Sequence, residues 1–375
     1  MKNCFKYFIA LLLRALLSPL TLLPVKRDRV MFVAYRGTRY SCSPRAVSEQ
    51  LEKLAGGRLE INWGLRHPEN YAFLRQQGVN VINDRGLKFI YRALTSRVVV
   101  TNIHYKPYLP RRKGQFFIHT WHGGGLYKRE GMQTGMTRRY LDLQGIRFGA
   151  YLSSSREFTK RVIRGSFGWK GEVLEWGLPR NDVFFSPEKE SLRRDIRARL
   201  GWTGRNIALY APTWRDDQSD FTPFDADAVR RALARRFGGA WELWFRGHYY
   251  SDTAALSLNG DVSSEEDMQP LLLAADCLIT DYSSSIWDAS LEGLKTFLYC
   301  PDVNNYVSIR NFYSDIHTWP GVFAEDGQSL INAILSFDEA AYAEKIARHH
   351  RDLGSCETGR AAILTAERIL KECGK

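Results

Sequence analysis

Two histidines stand where an imidazole could do acid–base chemistry: His122, in Trp121-His122-Gly123-Gly124-Gly125-Leu126-Tyr127-Lys128, and His248, in Arg246-Gly247-His248. Each follows a short apolar run that reads as a buried strand, Phe116 to Thr120 and Trp241 to Phe245. A histidine at the carboxyl end of a parallel strand stands in the crevice where doubly wound sheets take ligands. The glycines after His122 let backbone come close to a substrate, and imidazole titrates near neutrality, so His122 suits a general base. A third group is the turn Thr280-Asp281-Tyr282-Ser283-Ser284, which enters a helix. Hydroxyls and N–H groups at the positive end of a helix suit phosphate. Each signal alone has a bland explanation, a buried core histidine or an ordinary helix cap.

The flanking elements must bring these groups to one edge. From Arg29 onward strands alternate with helices: Val30 to Tyr35, a helix over Arg45 to Leu54, Glu60 to Gly64, a helix near Asn70 to Gln77, Val79 to Ile82, a helix over Leu87 to Leu94, and Val98 to Thr101. That order predicts a parallel sheet covered on both faces. Glu130 to Tyr140 reads as a mobile loop. The second half repeats the pattern, with strands at Asn206 to Tyr210, Trp241 to Phe245, Cys277 to Thr280 and Thr296 to Tyr299. His122 with three glycines also resembles the oxyanion motif of lipases, but the Gly-x-Ser-x-Gly elbow that chemistry needs is absent from the sequence. Asp225-Ala226-Asp227 has a metal-binding look, yet it heads a basic helix and capping explains it better.

Composition narrows the partners. The net charge of +12, from 53 Lys and Arg against 41 Asp and Glu, favours partners that carry phosphate. No zinc-finger, RNP or helix-turn-helix signature directs this charge to nucleic acid. Six scattered cysteines without Cys-x-x-Cys suit a reducing compartment, with neither disulfides nor a structural metal. Residues Phe5 to Leu23 are apolar except for Lys6 and Arg14, with Lys26, Arg27 and Arg29 following. A signal peptide lacks its cleavage site here, and a spanning helix would carry Arg14 at mid-span at a cost of about 2.5–3.5 kcal/mol. The preferred reading is an interfacial helix on an anionic membrane; a helix packed on the domain is the alternative.

Several stretches together resemble the CDP-glycerol glycerophosphotransferase family of teichoic acid primases and polymerases. Ala275, Asp276, Leu278, Ile279, Thr280, Asp281, Tyr282, Ser283, Ser284 and Asp288 match its Ala-Asp-x-Leu-Ile-Thr-Asp-Tyr-Ser-Ser signature with the following Asp. Trp121, His122, Gly123 and Lys128 fit its Trp-His-Gly-Thr-Pro-x-Lys, with Gly124 and Gly125 where Thr and Pro are usual. Gly177-Leu178-Pro179-Arg180-Asn181-Asp182 resembles Gly-x-Pro-Arg-Asn-Asp, and Tyr210 to Arg215 resembles Tyr-Ala-Pro-Thr-Trp-Arg. Arg246 and His248 fit Arg-x-His, Tyr249 replacing the usual Pro, whereas Arg66-His67-Pro68 has the same letters in the wrong half. Arg310-Asn311-Phe312-Tyr313 resembles the segment after the serine turn, with Asn311 for a usual Gly.

The resemblance implies an α/β protein of the GT-B type, two Rossmann-like domains facing a cleft, with no catalytic metal and no cofactor. The divisions expected are a membrane helix over 1–28, an acceptor domain over 29–186, a nucleotide domain over 187–355 and a closing helix over 356–375 packed back across the domains. It implies transfer of glycerol phosphate from CDP-glycerol, or of a related polyol phosphate from CDP-ribitol, to a hydroxyl of an undecaprenyl-diphosphate-linked saccharide, releasing CMP, in teichoic acid or capsule-type synthesis. His122 is then the expected base, with His248 and Arg246 stabilising the pyrophosphate. Trp121, Gly123, Lys128, Arg180, Asn181, Thr213, Arg215, Thr280, Asp281, Ser283, Ser284, Asp288, Arg310 and Arg360 are expected substrate contacts. The implied location is peripheral, on the cytoplasmic face of the membrane, and a homo-oligomer is compatible with it. A glycosyltransferase using a CMP- or UDP-sugar, and an inactive membrane-bound partner of a polymerase complex, are the competing readings.

Overall fold

The computed structural model describes residues 2–103, 105–145, 149–213, 224–247 and 257–375, without the side chains of residues 2–6, 309 and 310. Among them the strands β1 (Lys26–Val33), β2 (Glu60–Leu65), β3 (Asn80–Asn83), β4 (Ser96–Thr101), β5 (Phe116–His119), β6 (Ala150–Leu152) and β7 (Val173–Leu174) form one sheet in the order β3-β2-β1-β4-β5-β6-β7. A second sheet has the order β10-β9-β8-β11-β12-β13, from β8 (Asn206–Ala211), β9 (Trp241–Phe245), β10 (Gly260–Asp261), β11 (Cys277–Thr280), β12 (Lys295–Tyr299) and β13 (Val322–Ala324). Every pairing is parallel. The order reverses between β1 and β4 in the first sheet and between β8 and β11 in the second, and such switch points are where open parallel sheets take ligands.

The helices that matter below are, in chain order, α1 (Lys2–Leu17), α2 (Cys42–Ala55), α3 (Arg138–Leu143), α4 (Lys189–Leu200), α5 (Ala226–Phe237), α6 (Ser285–Glu292), α7 (Glu339–Leu353) and α8 (Ala361–Glu372). They cover both sheet faces, so the central strands β4, β8, β11 and β12 are mostly buried rather than alternating. In β1, Val30 and Phe32 pack towards Val47 and Leu51 of α2 and Ala366 and Ile369 of α8. Met31 and Val33, on the opposite face, meet Phe89 and Leu94. In β8, Ala208 and Tyr210 face Val229 and Leu233 of α5, while Ile207 and Leu209 face Trp202 and Leu272.

The chain forms two compact units: residues 1–122, 130–182 and 355–375, and residues 123–129 and 183–354. The closing helix α8 belongs to the first unit, where its apolar stripe completes the core over β1. Residues 123–129 belong to the second. Two local expectations differ from the structure. The segment near Asn70 to Gln77 divides into a 3-10 turn, Pro68–Tyr71, and a single helical turn, Phe73–Gln76. Glu130 to Tyr140, expected as a loop, contains a 3-10 turn and the start of α3, where the Thr137 hydroxyl accepts from Tyr140 N. Asp225 caps α5 by accepting from Ala228 N, and Asp227 pairs with Arg230.

Helix α1 lies on the first unit through a narrow stripe. Ala10 is buried, Leu17 packs with the core beside β1, and Arg14 Nη2 donates to the carbonyls of Pro107 at 2.6 Å and Leu143 at 3.2 Å. Its outer side is apolar too: Phe8, Leu12 and Leu16 are 65%, 52% and 66% exposed. Among the described residues no helix is long and apolar enough to cross a membrane.

Asp182, at the end of the first unit's second segment, starts α8: its carboxylate oxygens accept from Ala361 N at 3.1 Å and Ala362 N at 2.7 Å. Burial pushes this carboxyl up to about 6, the two amide donors pulling the other way. Asp182→Ala strips the helix start of both acceptors, so unfolding in urea is expected to show a loss of about 1–2 kcal/mol.

Candidate functional site

In the first unit the exits of β1 and β4 meet at the switch point. Asn102, directly after β4, accepts from Tyr35 N through Oδ1 at 2.9 Å. Its backbone carbonyl lies 3.1 Å from His122 Nδ1. A carbonyl only accepts, so Nδ1 carries a proton and this contact fixes the orientation of the ring. His122 is half-buried, against Trp121 at a ring distance of 4.6 Å and edge-on to Tyr35 at 6.1 Å. Non-glycine residues with left-handed backbone gather here: Tyr35 (φ 46°), Arg36 (φ 58°), Cys42 (φ 63°) and Trp121 (φ 54°). Such conformations cost of order 1–3 kcal/mol each and cluster at functional sites.

The Gly177 to Asp182 stretch divides its work. Arg180 donates from Nη1 to His122 O at 2.7 Å and lies 3.7 Å from the Cys42 thiol, so its guanidinium buttresses the histidine's backbone. Asn181, expected to touch substrate, is buried and donates to Glu357 Oε1 at 3.1 Å. Glu357 Oε2 also accepts from Leu178 N at 2.9 Å. Asn181 and Asp182 therefore tie the chain ends of this unit together. Arg360 is exposed at the N-cap of α8.

In the second unit the segment after His122 lies flat on α6. A Cβ on Gly123 would come within 2.7 Å of Ser284 Oγ, and one on Gly124 would sit inside the indole of Trp287. Gly125 has φ 70°. Tyr127 anchors the segment, its OH 3.2 Å from His349 Nε2 on α7 and its ring 4.7 Å from Trp319. Lys128 bridges Phe312 in antiparallel fashion, and Tyr313 N donates to Tyr127 O at 2.7 Å. Burial, with His350 adding for His349, pushes the His349 and His350 imidazoles down to about 4, so both are neutral near pH 7.

At this unit's own switch point, Asp281 after β11 accepts from Thr213 N, after β8, at 2.9 and 3.0 Å. Thr280 donates to Ala211 O at 2.6 Å. Both were expected as substrate contacts; in the structure these bonds tie the two strand exits together. Asp288 is likewise buried in α6 and accepts from Gln269 at 3.0 Å. Ser283 Oγ accepts from Ser285 N at 3.2 Å, and Ser284 at the N-cap makes no side-chain cap bond. Both serines are half-buried, which leaves the α6 N-terminus as this unit's phosphate-suited element. Arg246 Nη2 donates to Glu265 O at 3.0 Å while Nη1 lies 3.2 Å from Met268 Sδ. His248, Arg215 and the Arg310 side chain lie outside the described residues.

Sequence reasoning missed Asn102, Tyr35 and the Tyr127–His349 pair. An Asn directly after a predicted strand was the available signal for the first; nothing local marks a histidine over two hundred residues from its tyrosine partner.

Two parallel α/β units, one presenting an oriented imidazole and the other a hydroxyl-lined helix start, define the class of GT-B-like transferases with phosphate-bearing substrates. The chain belongs to the CDP-glycerol:poly(glycerophosphate) glycerophosphotransferase family, whose profile matches residues 17–371. It is 27% identical over 372 residues to the teichoic acid poly(glycerol phosphate) polymerase of Bacillus spizizenii, covering 93% of each chain. The teichoic acid glycerol-phosphate transferase of Staphylococcus aureus is also 27% identical, over 99% of this chain and 100% of that one. Against the Bacillus subtilis polymerase the chain spans only 45% of the relative's length, at 27% identity over 340 residues. Among solved structures, a variant of the wall teichoic acid polymerase TagF superposes with a TM-score of 0.82 at 24% identity, covering 100% of this chain and 98% of that one.

The packing of Gly124 on Trp287 gives a direct test. Gly124→Ala forces the indole or the loop to move and is expected to cost about 1–3 kcal/mol in denaturant unfolding, with Trp287→Leu in the same chain recovering part of the loss.

Proposed function

We propose that the chain transfers glycerol phosphate from CDP-glycerol to a hydroxyl of a lipid-linked acceptor, releasing CMP, in the synthesis of a teichoic-acid-type polymer. Family membership and the relatives' names support the substrate class, and a TagF structure soaked with CDPG, 25% identical with a TM-score of 0.78, supports the donor. The observation that supports the chemistry is the Asn102 carbonyl on His122 Nδ1, which orients the ring beyond the carboxyl end of β5; in the neutral form this tautomer has its acceptor at Nε2.

In this reading the acceptor oxygen attacks the β-phosphorus, the bond to the CMP oxygen breaks, and the hydroxyl proton passes to His122 Nε2. Trp121 and Arg180 fix the histidine's backbone. The α6 N-terminus with Ser283 and Ser284, together with Arg246, His248, Thr213, Arg215 and Arg310, is assigned to the donor phosphates and nucleotide, where dipoles stabilise charge on phosphate oxygens. Gly123 and Lys128 shape the acceptor's approach, while Thr280, Asp281 and Asp288 act by positioning the turn. CDP-ribitol is the second donor reading, because a ribitol-phosphate primase of Bacillus spizizenii is 26% identical over 343 residues. The apolar outer side of α1 is read as lying in the interface of an anionic membrane, and the location assigned with this reading is peripheral, on the cytoplasmic face.

Two measurements test this. His122→Ala should lower acceptor-dependent CMP release by about 10²–10⁴-fold with an unchanged unfolding midpoint; near-normal turnover would remove the base assignment. Leu12→Glu with Leu16→Glu should abolish sedimentation with anionic vesicles while leaving the circular dichroism spectrum intact, and undiminished binding would place the membrane contact elsewhere.

A further inference from the structure

A hydrogen-bond donor that folding leaves buried and unmatched calls for an explanation, and the first unit has two at the strand exits around His122. Asn102 is fully buried. Tyr35 N donates to one atom of its carboxamide at 2.9 Å, which makes that atom the oxygen and the other the NH2. No described group accepts from this NH2. Ser41, also fully buried, is the residue from which the chain enters α2, and its hydroxyl has no partner among the described residues either. A serine at that position ordinarily accepts from the second or third amide of its helix. The third residue of α2 is Pro44, which has no N–H, and the amide of the second, Ser43, makes no bond to the Ser41 hydroxyl. Ser41 therefore stands at a capping position without capping.

The two side chains share one neighbourhood. Asn102 holds His122 Nδ1 through its backbone carbonyl at 3.1 Å. Arg180 Nη1 donates to His122 O at 2.7 Å and lies 3.7 Å from the thiol of Cys42, the first residue of α2, while Arg180 N donates to Ser43 Oγ at 3.4 Å. The arginine thus joins the histidine to the start of the helix. Chemically the set is one-sided. A carboxamide NH2, a hydroxyl, a guanidinium and the positive end of a 14-residue helix all favour a ligand that accepts hydrogen bonds and carries negative charge. A phosphate answers this best, because its tetrahedral oxygens meet donors arriving from different directions. Two buried donors without acceptors weaken the fold, and a ligand that supplies the acceptors recovers that loss as it binds.

We propose that Ser41, Asn102 and the start of α2 form an oxyanion subsite on the first unit; that its oxyanion is the phosphate being transferred rests on the function proposed above. In that reaction the attacked phosphorus lies close to the hydroxyl whose proton His122 takes, so its non-bridging oxygens come within reach of groups that flank the ring. The full chain is titrated with inorganic phosphate while the 15N-labelled carboxamide of Asn102, assigned by its loss in Asn102→Asp, is followed by NMR. That signal should shift to saturation in the wild type, and Ser41→Ala should weaken the affinity so read by about ten-fold, as expected for one hydrogen bond to a charged group. The unfolding midpoint of Ser41→Ala should stay level or rise, because its hydroxyl has no partner to lose. An unmoved Asn102 signal, an undiminished affinity in Ser41→Ala, or a midpoint lowered as for a capping serine would overturn the subsite. In turnover Ser41→Ala should lower kcat for CMP release by about ten-fold, with phosphate-free glycerol as acceptor as much as with an acceptor that bears phosphate. A loss confined to the phosphate-bearing acceptor would overturn the assignment to the transferred group. Phosphate binding with these properties in a chain that releases no CMP keeps the subsite and removes the transferase reading, and CMP release with an unmoved Asn102 signal does the reverse.

Discussion

The structure depends on one contact made twice: a polar side chain leaving a central strand accepts a backbone N–H from the strand beside it across the switch point. Asn102 does this for Tyr35 in the first unit, and Asp281 does it for Thr213 in the second. Where strand order reverses, adjacent connections run to opposite sides of the sheet and would leave their first amides without ladder partners. A side-chain acceptor satisfies that amide and fixes the spacing of the two exits. Chemistry then collects on the fixed frame. The Asn102 backbone orients His122, and Asp281 sets the turn from which Ser283 and Ser284 enter α6. An acceptor left buried and unpaired would cost about 1–3 kcal/mol, so the tie and the amide it holds are worth more together than either is alone.

A second constraint falls on the seven residues after His122. They belong to the core of the second unit, where the backbone of Gly124 lies on Trp287 and Tyr127 lies on His349. Neutral partners suit this place. Burial holds His349 and His350 well below their usual titration range, so the anchor carries no charge near neutral pH and attracts no counter-ion. His122, to which the proposed reaction assigns the base role, is half-buried, and the Asn102 carbonyl orients its ring.

Much of this was legible in the sequence because parallel strands buried on both faces are continuous apolar runs, and their carboxyl ends are marked by Gly, His, Ser and Asp. Trp241–Phe245 and Cys277–Thr280 were read to the residue for that reason. Strand starts were less legible: β1 begins at Lys26, four residues ahead of its apolar run, because ladder bonds extend into charged residues that the pattern ignores. At the site, the letters of a motif identified the right turn but not which side chain faces outward. Asp281, Asp288 and Asn181 share their motifs with ligand-suited neighbours, yet spend their oxygens and amides on Thr213, Gln269 and Glu357. A buried polar residue that fixes a turn and one that meets a ligand look alike until their partners are known.

The departures from the family pattern become intelligible by the same accounting. Asn311, where Gly is usual, has φ 54° and ψ 166°, a region close to exclusive to glycine, and its own side chain accepts from Phe312 N at 2.7 Å. The carboxamide thus offsets part of the strain that glycine would avoid. Gly124, where Thr is usual, meets a tryptophan whose indole fills the volume a threonine side chain would occupy. Loop and helix are therefore a matched pair: the large ring at 287 requires the missing side chain at 124, and a threonine there would require a smaller residue at 287. The missing side chain at Gly124 thus reflects the packing of the second unit, and this departure from the family pattern reduces to where Trp287 puts its volume.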